Sequence, residues 1–148
     1  MRIAVIDADP IAYICSKDSL EESLSSVDNL IGNALNAVHC THYYMFLSDT
    51  PYFRHEVNKE YKGNDLNAFV MYYCGDVNSD TYINMSIDKD VLKSVWGKWF
   101  NFKKFESGET SIDDALKFLF IQALMGDSTD NITGIPKVGE VKATKIIE

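Results

Sequence analysis

Residues 126–148 read Gly126-Asp127-Ser128-Thr129-Asp130-Asn131-Ile132-Thr133-Gly134-Ile135-Pro136-Lys137-Val138-Gly139-Glu140-Val141-Lys142-Ala143-Thr144-Lys145-Ile146-Ile147-Glu148 and hold two devices in succession. An apolar helical stretch stops at Gly126, and two carboxylates three residues apart, Asp127 and Asp130, follow at once. Such a pair can face one point in space, as a divalent cation with hard oxygen ligands requires. Gly134-Ile135-Pro136-Lys137-Val138-Gly139 is then a turn with glycine at both ends, opening a helix with Lys142 and Lys145 on one side. Glycine lets a backbone approach a ligand closely, and a helix N-terminus offers free N–H groups to a phosphate. An acidic metal-binding pair beside a phosphate-binding turn points to phosphodiester chemistry on nucleic acid.

Composition sets the frame for that reading. At 148 residues and 46% hydrophobic, the chain suits one domain with a single sizeable core. It has no apolar run of membrane-spanning length and no basic-then-apolar leader at its start, so we expect a soluble, cytoplasmic protein without a membrane partner, and a monomer. Cys15, Cys40 and Cys74 are widely spaced, which suits small core residues better than a zinc site or a disulfide framework. The net charge of −8 weighs against a nucleic-acid partner, since such proteins are usually basic. The objection weakens if many of the acids gather in one metal site and the lysines line one face.

Outward from that stretch, strand and helix patterns alternate. Ile3-Ala4-Val5-Ile6 reads as a buried strand ending at Asp7, and Val27, Leu30, Ile31, Ala34, Leu35 and Val38 fall on one helix face. Tyr43–Leu47 is a second strand running into Ser48-Asp49; Leu66, Phe69, Val70 and Tyr73 mark a second helix closed by Gly75. Thr81–Ile87 is a third strand ending at Asp88, and Trp96–Phe105 a further strand or short hairpin. Ser111 and Asp114 open a helix whose buried face is expected to be Leu116, Leu119, Phe120, Ala123 and Leu124. This alternation implies an α/β fold with a mostly parallel central sheet flanked by helices. Three strands end in aspartate, at Asp7, Asp49 and Asp88, and the carboxyl edge of such a sheet is where ligands bind. Aspartate is also common in the turns after strands, so each one alone is ordinary. Together with Asp127 and Asp130 they make a constellation.

The ordered run Gly-Asp-x-x-Asp-Asn-Ile-x-Gly-Ile-Pro-x-Val-Gly-x-x-x-Ala, from Gly126 to Ala143, resembles the signature of the 5′ nucleases. That family includes the flap endonucleases, the 5′→3′ exonuclease domain of bacterial DNA polymerase I and the bacteriophage 5′ exonucleases. The resemblance implies a PIN-like nuclease core over residues 1–125 and, over 126–148, the start of a helix-hairpin-helix-type motif gripping duplex DNA. In that motif Gly134, Ile135, Lys137, Val138, Gly139, Lys142 and Lys145 would meet the DNA backbone, with a potassium ion in the turn. It also implies two divalent cations, Mg²⁺ or Mn²⁺, held by Asp7, Asp49, Asp65, Asp88, Asp90, Asp127 and Asp130. Two ions about 4 Å apart can activate a water and stabilise the leaving oxygen. Phe53-Arg54 and Glu60-Tyr61-Lys62-Gly63-Asn64 resemble the base of the family's helical arch. There Lys62 and Arg54 would steady transition-state charge, and Tyr61 would stack on a base.

The pattern breaks after Asn64. The family continues with an arginine, a basic arch and a Glu-x-Asp-Asp motif, whereas this chain passes straight to Asp65-Leu66-Asn67. Either the arch was lost, or it is a mobile segment missing between residues 64 and 65; we expect the second, with Asp65 as the last aspartate of the motif. The implied activity is 5′ nuclease action on flaps, 5′ ends or RNA primers of DNA in replication or repair. Two alternatives stay open. A haloacid dehalogenase-type phosphatase would use Asp7-Ala8-Asp9, Ser48 and Asp127, and a non-catalytic DNA-binding module would cut nothing.

Overall fold

A computed structural model of the chain describes residues 1–47, 81–128 and 132–148. Asp49, Arg54, Tyr61, Lys62, Asp65, Asp130, the helix expected over residues 66–73 and the join between Asn64 and Asp65 lie outside them.

β1 (Ile3–Asp7) is buried at all five residues, which is why its first four read as an unbroken apolar run. It lies between β2 (His42–Phe46) and β3 (Tyr82–Met85), parallel to both. β4 (Gly97–Asn101) runs parallel to β3 and pairs antiparallel with β5 (Glu106–Thr110), giving the order β2-β1-β3-β4-β5. Parallel neighbours need crossovers, and the helices supply them on both faces. α1 (Asp9–Cys15) and α2 (Leu20–Val38) pack Ile11, Cys15, Ile31, Ala34 and Val38 onto Ala4, Ile6, Ile83, Met85 and Phe100. On the opposite face Val91 of α3 (Lys89–Ser94) and the following Val95 cover Val5. The α/β architecture with a mostly parallel sheet is therefore as the sequence implies.

Local chemistry sets the ends of these elements. The Ser19 hydroxyl accepts from the Glu22 N–H at 3.2 Å and starts α2. His39 stops it in the left-handed region (φ 56°), with His39 N–H donating to Asn36 O and Cys40 N–H to Leu35 O, the Schellman pattern. α1 itself was not visible in the sequence pattern. β5 was missed too, because Glu-Ser-Gly-Glu-Thr has no apolar residue to mark a strand. Its Gly108 lies opposite Trp99, and a β-carbon there would run into the indole ring.

α4 (Ile112–Met125) starts at Ser111, whose hydroxyl accepts from Asp114 N–H at 3.1 Å and donates to the Asp114 carboxylate at 2.7 Å. Its expected buried face needs correction. Leu116, Leu119 and Phe120 are 43%, 52% and 54% exposed, Ala123 is exposed, and Ala115 is the buried residue. The helix does not lie in the main core: it packs against α3 and α5 (Glu140–Ile147), which cover only part of its apolar circumference. What remains is a shallow apolar groove lined by Leu116, Phe120, Ile146 and Ile147.

Between α4 and α5 the chain makes a two-stranded ribbon, β6 (Gly126–Asp127) against β7 (Ile132–Thr133). Gly126 sits at φ 76°, ψ 175°, a conformation closed to side chains, and its missing β-carbon would strike Gly134 N and Ile132 O. Gly134 has the same relation to the Met125 carbonyl. The two glycines allow one backbone to lie on the other where α4 ends. Gly126→Ala and Gly134→Ala should each destabilise the fold by about 2 kcal/mol or more. Gly32→Ala, at an open position inside α2, should stabilise it by about 0.5–1 kcal/mol. Chemical denaturation of the three variants measures this, and equal effects would contradict it.

Candidate functional site

β1 delivers Asp7 to the carboxyl edge of the sheet with only 2% of its surface exposed. The next residue turns the chain: Ala8 N–H donates to Phe46 O at the end of β2, at 2.9 Å. On the other side of β1, β3 ends at Met85 and Ser86 follows, wholly buried. The Ser86 hydroxyl donates to Asp7 Oδ2 at 2.9 Å and accepts from Asp88 N–H at 3.0 Å. Asp88 caps α3, its Oδ1 accepting from Asp90 N–H at 2.8 Å. One hydroxyl thus ties the first and third strand ends together, and Asp7, Asp88 and Asp90 form a continuous polar chain through it.

The electrostatics of this edge are strained toward a cation. Burial pushes the Asp7 carboxyl above its usual value of 3.8, the negative charges of Asp9 and Asp88 push it further, and the bonds from Ser86 and the Asp9 backbone partly offset both. Two residues before Ser86, on the same face of β3, Asn84 Oδ1 is buried with no hydrogen-bond partner among the described residues. A buried carboxylate facing two further negative charges, and a buried oxygen lacking a donor, are what a hydrated hard cation would satisfy, so the donor set fits Mg²⁺ or Mn²⁺. Among the described residues no three acidic, histidine or cysteine side chains stand together as a complete ligand set. Asp49, Asp65 and Asp130, which would enlarge it, lie outside those residues. Asp127 is half-buried in β6, on the ribbon that follows α4.

The second candidate element is the turn before α5. Ile135 N–H donates to Leu124 O at 2.8 Å, and Val138 N–H to Ile135 O at 3.0 Å. Pro136 followed by Lys137 at φ 64° is the pattern of a type II turn, with lysine where glycine is usual. Lys142 Nζ donates to Lys137 O at 3.0 Å, so it lies against the turn rather than away from it. Gly139 caps α5 in extended backbone, no side chain caps the helix, and space within 4 Å of its absent β-carbon is empty. The glycines at the two ends of the turn therefore differ. Gly134 is demanded by the backbone it touches, whereas Gly139 leaves an open approach to the helix N-terminus. Lys145 follows one turn on, in the last turn of α5.

Sequence reasoning missed Ser86 and Asn84. The signal for Ser86 was present as Ser86-x-Asp88-x-Asp90, a small hydroxyl residue between a strand end and a helix cap. Asn84 carries no such signal, because a lone polar residue inside Tyr-Ile-Asn-Met reads as a solvent-facing position.

No protein-family model matches this sequence, and no curated protein does. Solved structures do match. A mutant of bacteriophage T5 5′-exonuclease superposes with a TM-score of 0.75 over 99% of this chain and 71% of its own, at 16% identity. T5 5′-exonuclease with zinc ions bound gives 0.72 over 99% and 74%, at 18% identity. The T5 flap endonuclease in a complex with DNA and metal ions gives 0.71 over 99% and 74%, at 14% identity. This chain has the fold of those 5′ nucleases, as its sequence resemblance leads one to expect. No described helix is long and apolar enough to cross a membrane.

The Asp7 shift has a consequence for stability. Its folded-state pKa lies above the unfolded value, so the native state holds its proton more tightly, and stability falls as pH rises from about 3.8 through the folded pKa. At neutral pH, without divalent ions, Asp7→Asn should therefore melt at a higher temperature than the parent. Adding Mg²⁺ or Mn²⁺ should reverse the order, raising the parent's Tm and leaving the variant's nearly unchanged. Equal metal-induced shifts in both proteins would show that Asp7 is no ligand.

Proposed function

We propose that the chain is a divalent-metal-dependent 5′ nuclease, hydrolysing phosphodiesters near 5′ ends or flaps of DNA, or RNA primers on it, in replication or repair. The observation that carries this reading is the Asp7–Ser86–Asp88 linkage at the carboxyl edge of a sheet with the T5 exonuclease fold. Asp7 and Asp88 would hold one ion, with Asp90 beside them, and Asp49, Asp65, Asp127 and Asp130 would complete the set for two. When bound, the metal lowers the pKa of a water and offsets charge on the leaving oxygen. Lys62 and Arg54 would neutralise charge on the scissile phosphate, and Tyr61 would stack on a base near it.

The turn from Gly134 to Gly139 has a separate role in this reading, as the start of a helix-hairpin-helix-type grip on duplex DNA. The open approach at Gly139 would admit a phosphate to the α5 N-terminus, with Ile135 and Val138 against the sugar edge. Lys137, Lys142 and Lys145 would supply cations, and a potassium ion would sit among the turn carbonyls. Such contacts carry no base information and weaken with salt. The protein would act as a cytoplasmic monomer.

A 5′-labelled flap and a 3′-labelled duplex, each with and without Mg²⁺, test the activity. Metal-dependent release of 5′ label supports the reading; turnover of p-nitrophenyl phosphate without nuclease activity replaces it with a phosphatase. Asp88→Asn should abolish cleavage while DNA affinity, measured by anisotropy, stays within about two-fold, since it removes a ligand rather than a phosphate contact.

Gly139→Val should fold normally, because nothing occupies the space its side chain enters. It should raise KM on every duplex sequence and leave kcat little changed. Unchanged affinity in the folded variant would reduce the hairpin to an ordinary turn.

A further inference from the structure

The β4–β5 hairpin turns at Phe102-Lys103-Lys104-Phe105, and the turn is built more rigidly than a connection requires. Phe102 is buried in the main core. Asn101, itself buried, accepts through its side-chain Oδ1 from both Lys103 N–H (3.1 Å) and Lys104 N–H (3.0 Å). Phe105 is held in the left-handed region at φ 56°, where glycine or asparagine is usual and a bulky side chain is strained. Its ring stands edge-on to Phe100, centroids 5.4 Å apart at 84°, yet the residue as a whole remains 52% exposed. The Lys103 and Lys104 side chains are exposed and have no ion pair or hydrogen bond among the described residues. An exposed aromatic ring in a strained, fixed conformation beside two free ammonium groups asks for a ligand.

Topology says where this turn lies. β4 runs parallel to β3, Ser86 N–H donates to Phe100 O at 3.2 Å, and Asn101 is level with Ser86. The turn therefore leaves the sheet at the same edge as Asp7 and Asp88. It is one strand spacing from Ser86 and two from Asp7, roughly 10 Å at about 4.8 Å per strand. We infer that Lys103, Lys104 and Phe105 form a second nucleic-acid contact, in which the lysines hold phosphates of a single strand leaving the acidic edge and Phe105 stacks on one of its bases. This rests on the nuclease reading above. An aromatic face accepts any base and ammonium groups accept any phosphate, so the contact is blind to sequence. Glu106 follows directly and starts β5, so the positive charge is confined to the turn itself.

The experiment uses the whole chain, with a 5′-flap, a blunt duplex of the same sequence, and Ca²⁺ in place of Mg²⁺. Lys103→Ala with Lys104→Ala should weaken flap binding and flatten the log K against log salt plot by about 1.4, the value for two phosphates on a single strand. Phe105→Asn keeps a residue that tolerates the left-handed conformation. It should leave Tm equal or higher and weaken flap binding about ten-fold, with blunt-duplex affinity unchanged. Lys17→Ala, an exposed lysine in the loop between α1 and α2, is the control and should change neither. If the parent binds flaps in Ca²⁺ and cuts them in Mg²⁺ but the turn variants match it in affinity and salt slope, the contact is refuted and the nuclease reading stands. Equal losses from Lys17→Ala refute it as well, since only general charge would be at work. A parent that binds no DNA overturns both.

Discussion

A carboxylate almost wholly removed from water at the end of a central strand cannot stand alone, because its charge loses hydration and gains nothing in return. Here the Ser86 hydroxyl holds Asp7 with one bond and fixes the Asp88 backbone with another, joining β1, β3 and the start of α3 at a single oxygen. The parallel order β2-β1-β3 makes this possible, since it brings strand ends from distant parts of the sequence to one edge. Replacing Ser86 by an apolar residue would cost the fold little volume but would leave buried Asp7 with the Asp9 backbone N–H and without its side-chain donor. The sheet thus carries a partly compensated electrostatic load at one edge, and the site chemistry begins from that load.

What was legible in the sequence follows from how local each signal was. Ile3–Ile6 announced a strand buried on both faces because all four residues are apolar, and the α2 stripe announced a helix because Ile31, Ala34 and Val38 share a face. Asp7 was legible as the residue that ends such a strand; Asp88 was read the same way, but β3 ends at Met85 and Asp88 caps the helix that follows. Ser86, Asn84 and the Gly126–Gly134 contact were not, because each takes its meaning from a partner that only the fold supplies. The overstated burial of Leu116, Leu119 and Phe120 has the opposite cause: helical periodicity reports which residues share a face, not whether anything covers it.

Among the described residues three non-glycine residues lie in the left-handed region: His39, which ends α2, and two in turns between elements, Lys137 before α5 and Phe105 after β4. The latter two could relax if glycine or asparagine stood there, and on the proposed reading both keep a side chain that meets nucleic acid instead. At Lys137 the strained residue also offers its carbonyl to Lys142, so the turn and the first turn of α5 are braced by a side chain. The glycines do the reverse. Gly126 and Gly134 remove side chains so that two backbones can touch, which sets the ribbon after α4 and so the direction in which α5 leaves it.

The acidity of the chain, 22 carboxylates against 14 lysines and arginines, is compatible with a nucleic-acid partner only if charge is sorted in space. Screening at physiological salt reduces the reach of an exposed charge to about 8 Å, so a phosphate responds to the groups nearest it and hardly to the net charge. Buried Asp7 and exposed Asp88 at the sheet edge would repel a bare phosphodiester, and on the proposed reading a divalent ion held there would offset that repulsion. Lys103 and Lys104 lie at the same edge, while Lys137 and Lys142 meet at the turn before α5 and Lys145 follows in the last turn of that helix. On the proposed reading, the acids are concentrated where a cation must be held and the ammonium groups stand where bare phosphate must be met. Net charge then sets solubility, and the sorting sets what can bind.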